Sequence, residues 1–162
     1  GACGPAVDGP CAVDPSRQLL MNLTIVSFAR GRTGYEEAEK EFVRRLSGHG
    51  TVALEIIRQW RDTDGLPARL LTHTYPVGLY IDGRSYTSVE LSAHVGDLLQ
   101  RGQSHLVFAI GGADGMPAGV DNEVRERWSL SSLTFSHGLA RLLLLEALYR
   151  SFDMLRGGNY HK

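Results

Sequence analysis

From Met21 to the end of this 162-residue chain, short apolar, β-branched runs alternate with runs whose apolar residues recur at helical spacing. That alternation is the strongest constraint on the fold. Parallel strands need a crossover of a dozen or more residues between them, usually a helix, so a chain written this way is α/β with a largely parallel sheet. Ligands of such sheets sit beyond the carboxyl ends of the strands, and residues there carry the functional reading.

The pattern predicts a first strand over Asn22 to Phe28 and a helix from Tyr35 to Leu46, capped by Thr33 and ended by Gly48 and Gly50. Thr51 to Gln59 reads as a second strand, Arg61 to Leu71 as a short polar connection with room for one helical turn, and Val77 to Ile81 as a third strand. Thr87 or Ser88 caps a helix running to about Arg101, with Gly102 just past its end. His105 to Ile110 is apolar after its first residue, as expected of a strand covered on both faces. A short helix over Val120 to Arg127, a fifth strand over Leu130 to Phe135 and a last helix from His137 to Leu155 complete the prediction.

Residues 21–162 are expected to form one domain. Residues 1–20 are rich in Gly, Pro and Ala without periodicity and hold both cysteines, Cys3 and Cys11, so they read as a disordered leader or an added segment, with Met21 as the natural start. A disulfide framework is excluded for the folded part. The net charge of -1 argues against a surface that grips nucleic acid everywhere, and any RNA contact must be a local patch. No apolar stretch is long enough to span a membrane, and no signal peptide is present, so a cytoplasmic protein is expected. His49, His73, His94 and His105 lie on separate elements without ligand spacing, and no metal is expected. There is no G-x-S-x-G elbow and no cysteine nucleophile for a hydrolase.

The last helix is apolar on more than one face, through Leu139, Ala140, Leu142 to Leu145, Ala147, Leu148, Tyr149, Phe152 and Leu155. Such a helix must be buried nearly all round. A second copy of the chain would cover the outer face, which predicts a two-fold homodimer; burial by its own chain is the alternative.

Three edges can bind a ligand. Gly111 to Gly115 makes a glycine turn after the fourth strand, Asp82-Gly83 follows the third, and Ser131 to Ser136 offers small side chains leading into the last helix. Each has an ordinary structural reading as well, Ser136 as an N-cap and Arg150 as the partner of Glu146 or Asp153. The chain then stops at Tyr160-His161-Lys162, an aromatic, a titratable and a cationic residue after a Gly-Gly turn. A terminus so furnished reads as docked and used.

Phe108-Ala109-Ile110-Gly111-Gly112, Trp128-Ser129-Leu130-Ser131, Leu133-Thr134, His137, Ala140-Arg141, Glu146, Leu148-Tyr149-Arg150 and Tyr160-His161-Lys162 together resemble the bacterial methyltransferases that modify N3 of a pseudouridine in 23S rRNA, members of the SPOUT class. The resemblance covers Met21 to Lys162 and is densest over the last fifty-five residues. It implies a Rossmann-like sheet whose C-terminal part forms a trefoil knot, an exception to the usual absence of knots. It further implies S-adenosylmethionine as cofactor, a homodimer in which two subunits complete one site, and action on 23S rRNA within the ribosome.

Carried over residue by residue, the cofactor contacts fall on Leu79, Gly112, Ser131, Ser132, Leu133, Thr134, Phe135 and Ser136. Taking the N3 proton requires a base, or donors that stabilise the anion shared with the flanking carbonyls. His161 is the candidate base and His137 a second one, though its place at a helix start favours a structural role; Arg150, Tyr160 and Lys162 are candidates for holding the nucleotide or its charge. Three positions depart from the family pattern: Tyr80 replaces an aspartate, Ser136 a proline and Lys162 an arginine. The connection from Trp60 to Pro76 is also short. The competing reading is a non-catalytic knotted dimer that binds ribosome or RNA, with Tyr80 and the short connection having abolished cofactor binding.

Overall fold

The structure is a computed structural model that describes residues 20–162; the expected leader lies outside them except for Leu20. Five strands form one sheet in the order β2-β1-β4-β3-β5, every neighbouring pair parallel. The strands are β1 (Met21–Phe28), β2 (Gly50–Ile57), β3 (Tyr75–Ser85), β4 (His105–Ile110) and β5 (Glu126–Ser129). Helices α1 (Glu36–Leu46), α2 (Ser88–Gln100), α3 (Ala118–Asp121) and α4 (His137–Leu155) connect or follow them.

Side-chain alternation divides the core between the two faces of the sheet. Leu23 and Ile25 of β1 and Leu106, Phe108 and Ile110 of β4 point to one face, where Leu46 of α1, Val95 and Leu98 of α2 and Leu144, Leu145 and Leu148 of α4 cover them. Val26, Phe28, Val107 and Ala109 point to the other, against Leu66, Leu70 and Val120. On that second face the connection from β2 to β3 contributes only a single 3-10 turn, Ala68–Leu70, which fits its short length in the sequence. The central strands β1 and β4 are thus buried on both sides.

Local signals account for most helix ends. Thr87 and Glu90 form a reciprocal capping box at the start of α2, and Ser136 accepts from the Leu139 N–H to cap α4. Thr33 does not cap α1. Its hydroxyl accepts from Tyr35 N–H and its own N–H donates to Glu36, so it shapes the loop two residues earlier, and Tyr35 takes the cap position with no side-chain bond.

Two further expectations are corrected. The helix expected over 120–127 is four residues, because the chain must extend to pair with β3. The fifth strand lies at Glu126–Ser129, not at Leu130–Phe135. Its pairing residue Trp128 is 2% exposed and carries the burial, while Leu133 is 69% exposed and Ser131 Oγ accepts from Leu133 N–H to close a local turn. The apolar stretch is therefore a loop.

β3 pairs with β5 in two registers, since Trp128 opposes both Leu79 and Arg84. Residues Tyr80 to Gly83 bulge out between them. Gly83 is the return point; a Cβ there would lie 2.7 Å from the Trp128 carbonyl carbon.

Candidate active site

The carboxyl ends of β3 and β4, the loop after β5 and the first turn of α4 enclose a cavity of about 310 Å³. Leu79, Tyr80 and Ile81 form one wall, the glycine turn Gly111 to Gly115 a second, and Leu130 to Phe135 a third, with His137 and Ala140 on the helix side. Its walls come from the three strand ends and loops singled out in the sequence, although at the third strand the lining falls on Leu79 to Ile81 and not on Asp82-Gly83. Of the expected cofactor contacts, Leu79, Gly112, Ser131, Leu133, Thr134 and Phe135 line it. Ser132 and Ser136 do not; Ser136 is occupied as the α4 cap.

The glycine turn has its sequence for a steric reason. Gly112 lies against the end of β1, where a Cβ would come 2.2 Å from the Phe28 carbonyl oxygen. The turn closes through Gly115 N–H to Gly112 O at 3.0 Å, with Gly115 at a φ of 85°. Main chain therefore faces the cavity.

Tyr80 is the wall's polar member. Its hydroxyl donates to Asp121 Oδ1 at 2.7 Å, and Arg127 lies over its ring at 4.3 Å from the centroid. Burial, then the bond to Asp121, pushes its phenol far above the ordinary range, so it stays a donor. An acidic group thus stands behind the cavity wall, joined to it through the tyrosine. Across the cavity, His137 Nε2 is buried and has no hydrogen-bond partner among the described residues.

The terminal residues lie elsewhere on α4. Tyr160 N–H donates to Asp153 and its hydroxyl to Glu146 at 3.0 Å, while Arg150 donates to the same Glu146 oxygen at 2.6 Å. Arg150 also stacks over Tyr160 at 4.8 Å and places Nη1 3.0 Å from His161 Nδ1. A guanidinium only donates, so Nδ1 is the acceptor and the neutral ring presents its proton at Nε2. Lys162 is exposed. Arg150 stands thirteen residues beyond His137, about 20 Å along the helix axis. The structure thus brings Arg150, Tyr160 and His161 together as one cluster, and none of them lines the cavity of its own chain.

A further cluster was not read from the sequence. Glu126 Oε1 accepts from Trp128 Nε1 at 3.0 Å and pairs with His94 Nε2 at 2.6 Å, and Oε2 accepts from Tyr75 at 2.5 Å. Burial pushes the Glu126 carboxyl up, but these donors outweigh it and the net effect is downward. Tyr75 is pushed up to about 12 by burial and by its bond to this carboxylate. The members come from β3, α2 and β5 with no shared spacing, so no sequence motif could have announced them.

Comparison with known proteins agrees along nearly the whole described chain. A family model described as "Predicted SPOUT methyltransferase" matches residues 21–161. The chain is similar to a Lysinibacillus sphaericus protein named "Ribosomal RNA large subunit methyltransferase H", 31% identical over 160 residues, with 88% of this chain and 100% of the relative covered. Proteins of the same name from Listeria monocytogenes and Neisseria gonorrhoeae are each 32% identical, over 88% of this chain and 100% and 99% of their own lengths. No described helix is long and apolar enough to cross a membrane.

Proposed function

The chain belongs to the SPOUT methyltransferase family, and from that premise we propose that it methylates N3 of a pseudouridine in 23S rRNA on assembled ribosomes, using S-adenosylmethionine. The observation that carries the reading is the convergence of Leu79, Gly112 and the Ser131 to Phe135 loop on one cavity. Its size lies at the small end of ligand pockets. Leu79, Ile110, Met116, Leu130 and Phe135 offer apolar contact to an adenine, the glycine turn offers main chain, and His137 Nε2 is a buried polar atom awaiting a partner. These residues fit the cofactor, and a Tyr80 wall backed by Asp121 keeps a carboxylate near it despite the replaced aspartate.

When bound, S-adenosylmethionine supplies an electrophilic methyl group on a sulfonium. The protein's own residues then have to orient the acceptor ring and stabilise N3 as its proton leaves. The terminal cluster suits the second task. With Nδ1 engaged by Arg150, His161 offers an Nε2 proton to a carbonyl beside N3, and Arg150 holds positive charge behind it. This favours His161 as a donor; acting as the base at Nδ1 would require release from Arg150. Tyr160 fixes the cluster by bonding Glu146. Lys162 carries charge for the RNA backbone.

Because the cluster stands far from the cavity of its own chain, we assign it to the cavity of a second copy. Leu139, Leu142 and Leu143 leave an incompletely covered apolar stripe on α4, and the cavity rim exposes Ile81 at 58% and Leu133 at 69%. A two-fold dimer would cover both. The knot expected from the resemblance belongs to the same reading, with the 130–136 loop and α4 as the threaded part.

Mass spectrometry of 23S rRNA from a deletion strain tests the proposal. A pseudouridine lacking one methyl group, restored by the intact gene, is the expected result. Unchanged rRNA together with absent S-adenosylmethionine binding in calorimetry would favour the non-catalytic dimer, for which Tyr80 in the cavity wall is the favouring observation.

A further inference from the structure

Beside the cavity, at the carboxyl ends of β1 and β2, Arg30 is held in a way that few exposed arginines are. Its guanidinium lies over Trp60 at 5.3 Å from the ring centroid, and its Nε donates to the Arg58 carbonyl oxygen at 3.1 Å. Trp60 in turn stands edge-on to buried Phe28 at 5.8 Å. The two contacts fix the plane of the guanidinium. They consume only the Nε proton, so both terminal nitrogens have no partner among the described residues.

No carboxylate pairs with Arg30 among the described residues, and two of the acids on this side of the chain already hold cations of their own. Glu55 is held by Arg69 through two bonds and Asp64 by Arg61. Arg32 and Arg58 add exposed cations to the same edge. A flat, pre-oriented guanidinium with two free nitrogens matches two oxygens of a phosphate, and little side-chain freedom remains to be lost on binding. The edge adjoins the glycine turn of the cavity, since the Phe28 carbonyl and Ala29 Cα lie against Gly112.

We propose that Arg30, held by Trp60 and the Arg58 carbonyl, is a phosphodiester-binding subsite for the RNA strand that presents its nucleotide to the cavity. The proposal rests on the rRNA methyltransferase reading and supplies the local patch that a chain of net charge -1 needs. An RNA contact here would be electrostatic and bidentate, with Trp60 as its support.

Binding of fluorescently labelled protein to ribosomes from a deletion strain, measured across a salt series, tests it. Arg30→Gln is expected to weaken binding about tenfold and to reduce the salt slope by roughly 0.7 to 0.9, the loss of one phosphate contact. Arg30→Lys should keep the slope but bind several-fold more weakly than wild type, because it lacks the fork. Arg44→Gln, which removes an equal charge from exposed α1, should stay near wild type, and calorimetric binding of S-adenosylmethionine should be the same in all four proteins. Arg30→Gln binding as well as Arg44→Gln would overturn the subsite, and Arg30→Lys matching wild type would overturn the bidentate grip. Wild-type protein that binds the cofactor but no ribosomes would overturn the RNA reading together with the subsite.

Discussion

Arg141 and Glu39 lie 102 residues apart in sequence and meet in the core, Nη2 to Oε1 at 2.9 Å, each side chain only 4% exposed. The pair ties α4 to α1 directly beneath the first turns of the helix that bounds the cavity. Arg141 Nη1 also reaches Ser27 Oγ on β1 at 3.4 Å, which links the sheet to the same junction.

Removing the acid leaves a buried guanidinium without its counter-charge. Glu39→Ala should destabilise the protein by about 3 to 5 kcal/mol, the usual cost of breaking a buried ion pair from one side. Urea unfolding at neutral pH would show it as a lower midpoint with an unchanged slope. Replacing both residues together with apolar ones should recover much of the loss.

Gly112→Ala should act on the cavity. The added methyl collides with main chain at Phe28, which has no flexible side chain to move, so the glycine turn must shift into the ligand space. S-adenosylmethionine affinity is expected to fall more than tenfold by calorimetry, with stability reduced by about 1 to 3 kcal/mol as for other overpacked sites.

Deleting residues 160–162 should separate folding from turnover. The tail contributes exposed or half-buried bonds to Asp153 and Glu146, so its loss should cost about 1 to 2 kcal/mol. Cofactor binding should change little, because the residues assigned to the cofactor include none of the tail, and the partner's tail is assigned to the acceptor nucleotide. Methyl transfer to ribosomes should drop at least a hundredfold, roughly the contribution of a positioned donor.

Acid should weaken the junction of α2 with β5. The native Glu126 carboxyl sits below its ordinary value of 4.5, so its contribution to stability is complete above that pH. It declines as the pH falls below 4.5 and is gone once the pH has passed the lower native value. Stability measured from pH 7 to pH 3 should therefore fall more steeply in wild type than in Glu126→Gln. At pH 7, Glu126→Ala should cost about 3 kcal/mol, since His94, Tyr75 and Trp128 all lose an acceptor.

The α/β class and the three cavity edges were legible in the sequence because they follow from local pattern: continuous apolar strands, glycine turns and a capped helix. The fifth strand was not. Glu126-Arg127-Trp128-Ser129 looks polar, and only Trp128 carries the burial that pins it against β3, whereas the more apolar Leu130 to Phe135 run is spent on lining a cavity. Glu39 was hidden for a different reason. Among Glu36, Glu37, Lys40 and Glu41 it reads as part of a solvated face, and nothing near it announces a partner on α4. The terminal cluster was legible as a set of unusual residues, but its distance from the cavity is a property of helix length that pattern alone did not bring out.

Trp60 and Trp128 are the chain's two tryptophans, and they belong to the cores on opposite faces of the sheet. Trp128 is buried on the α2 side of the sheet, hydrogen-bonded to Glu126, two residues before the loop that lines the cavity; Trp60 sits half-exposed under Arg30. The fold thereby carries two intrinsic optical reporters of different environment. Filling the cavity should perturb the emission of buried Trp128, while RNA arriving at Arg30 should quench Trp60, so single-tryptophan variants would allow the order of cofactor and ribosome binding to be followed without any added label.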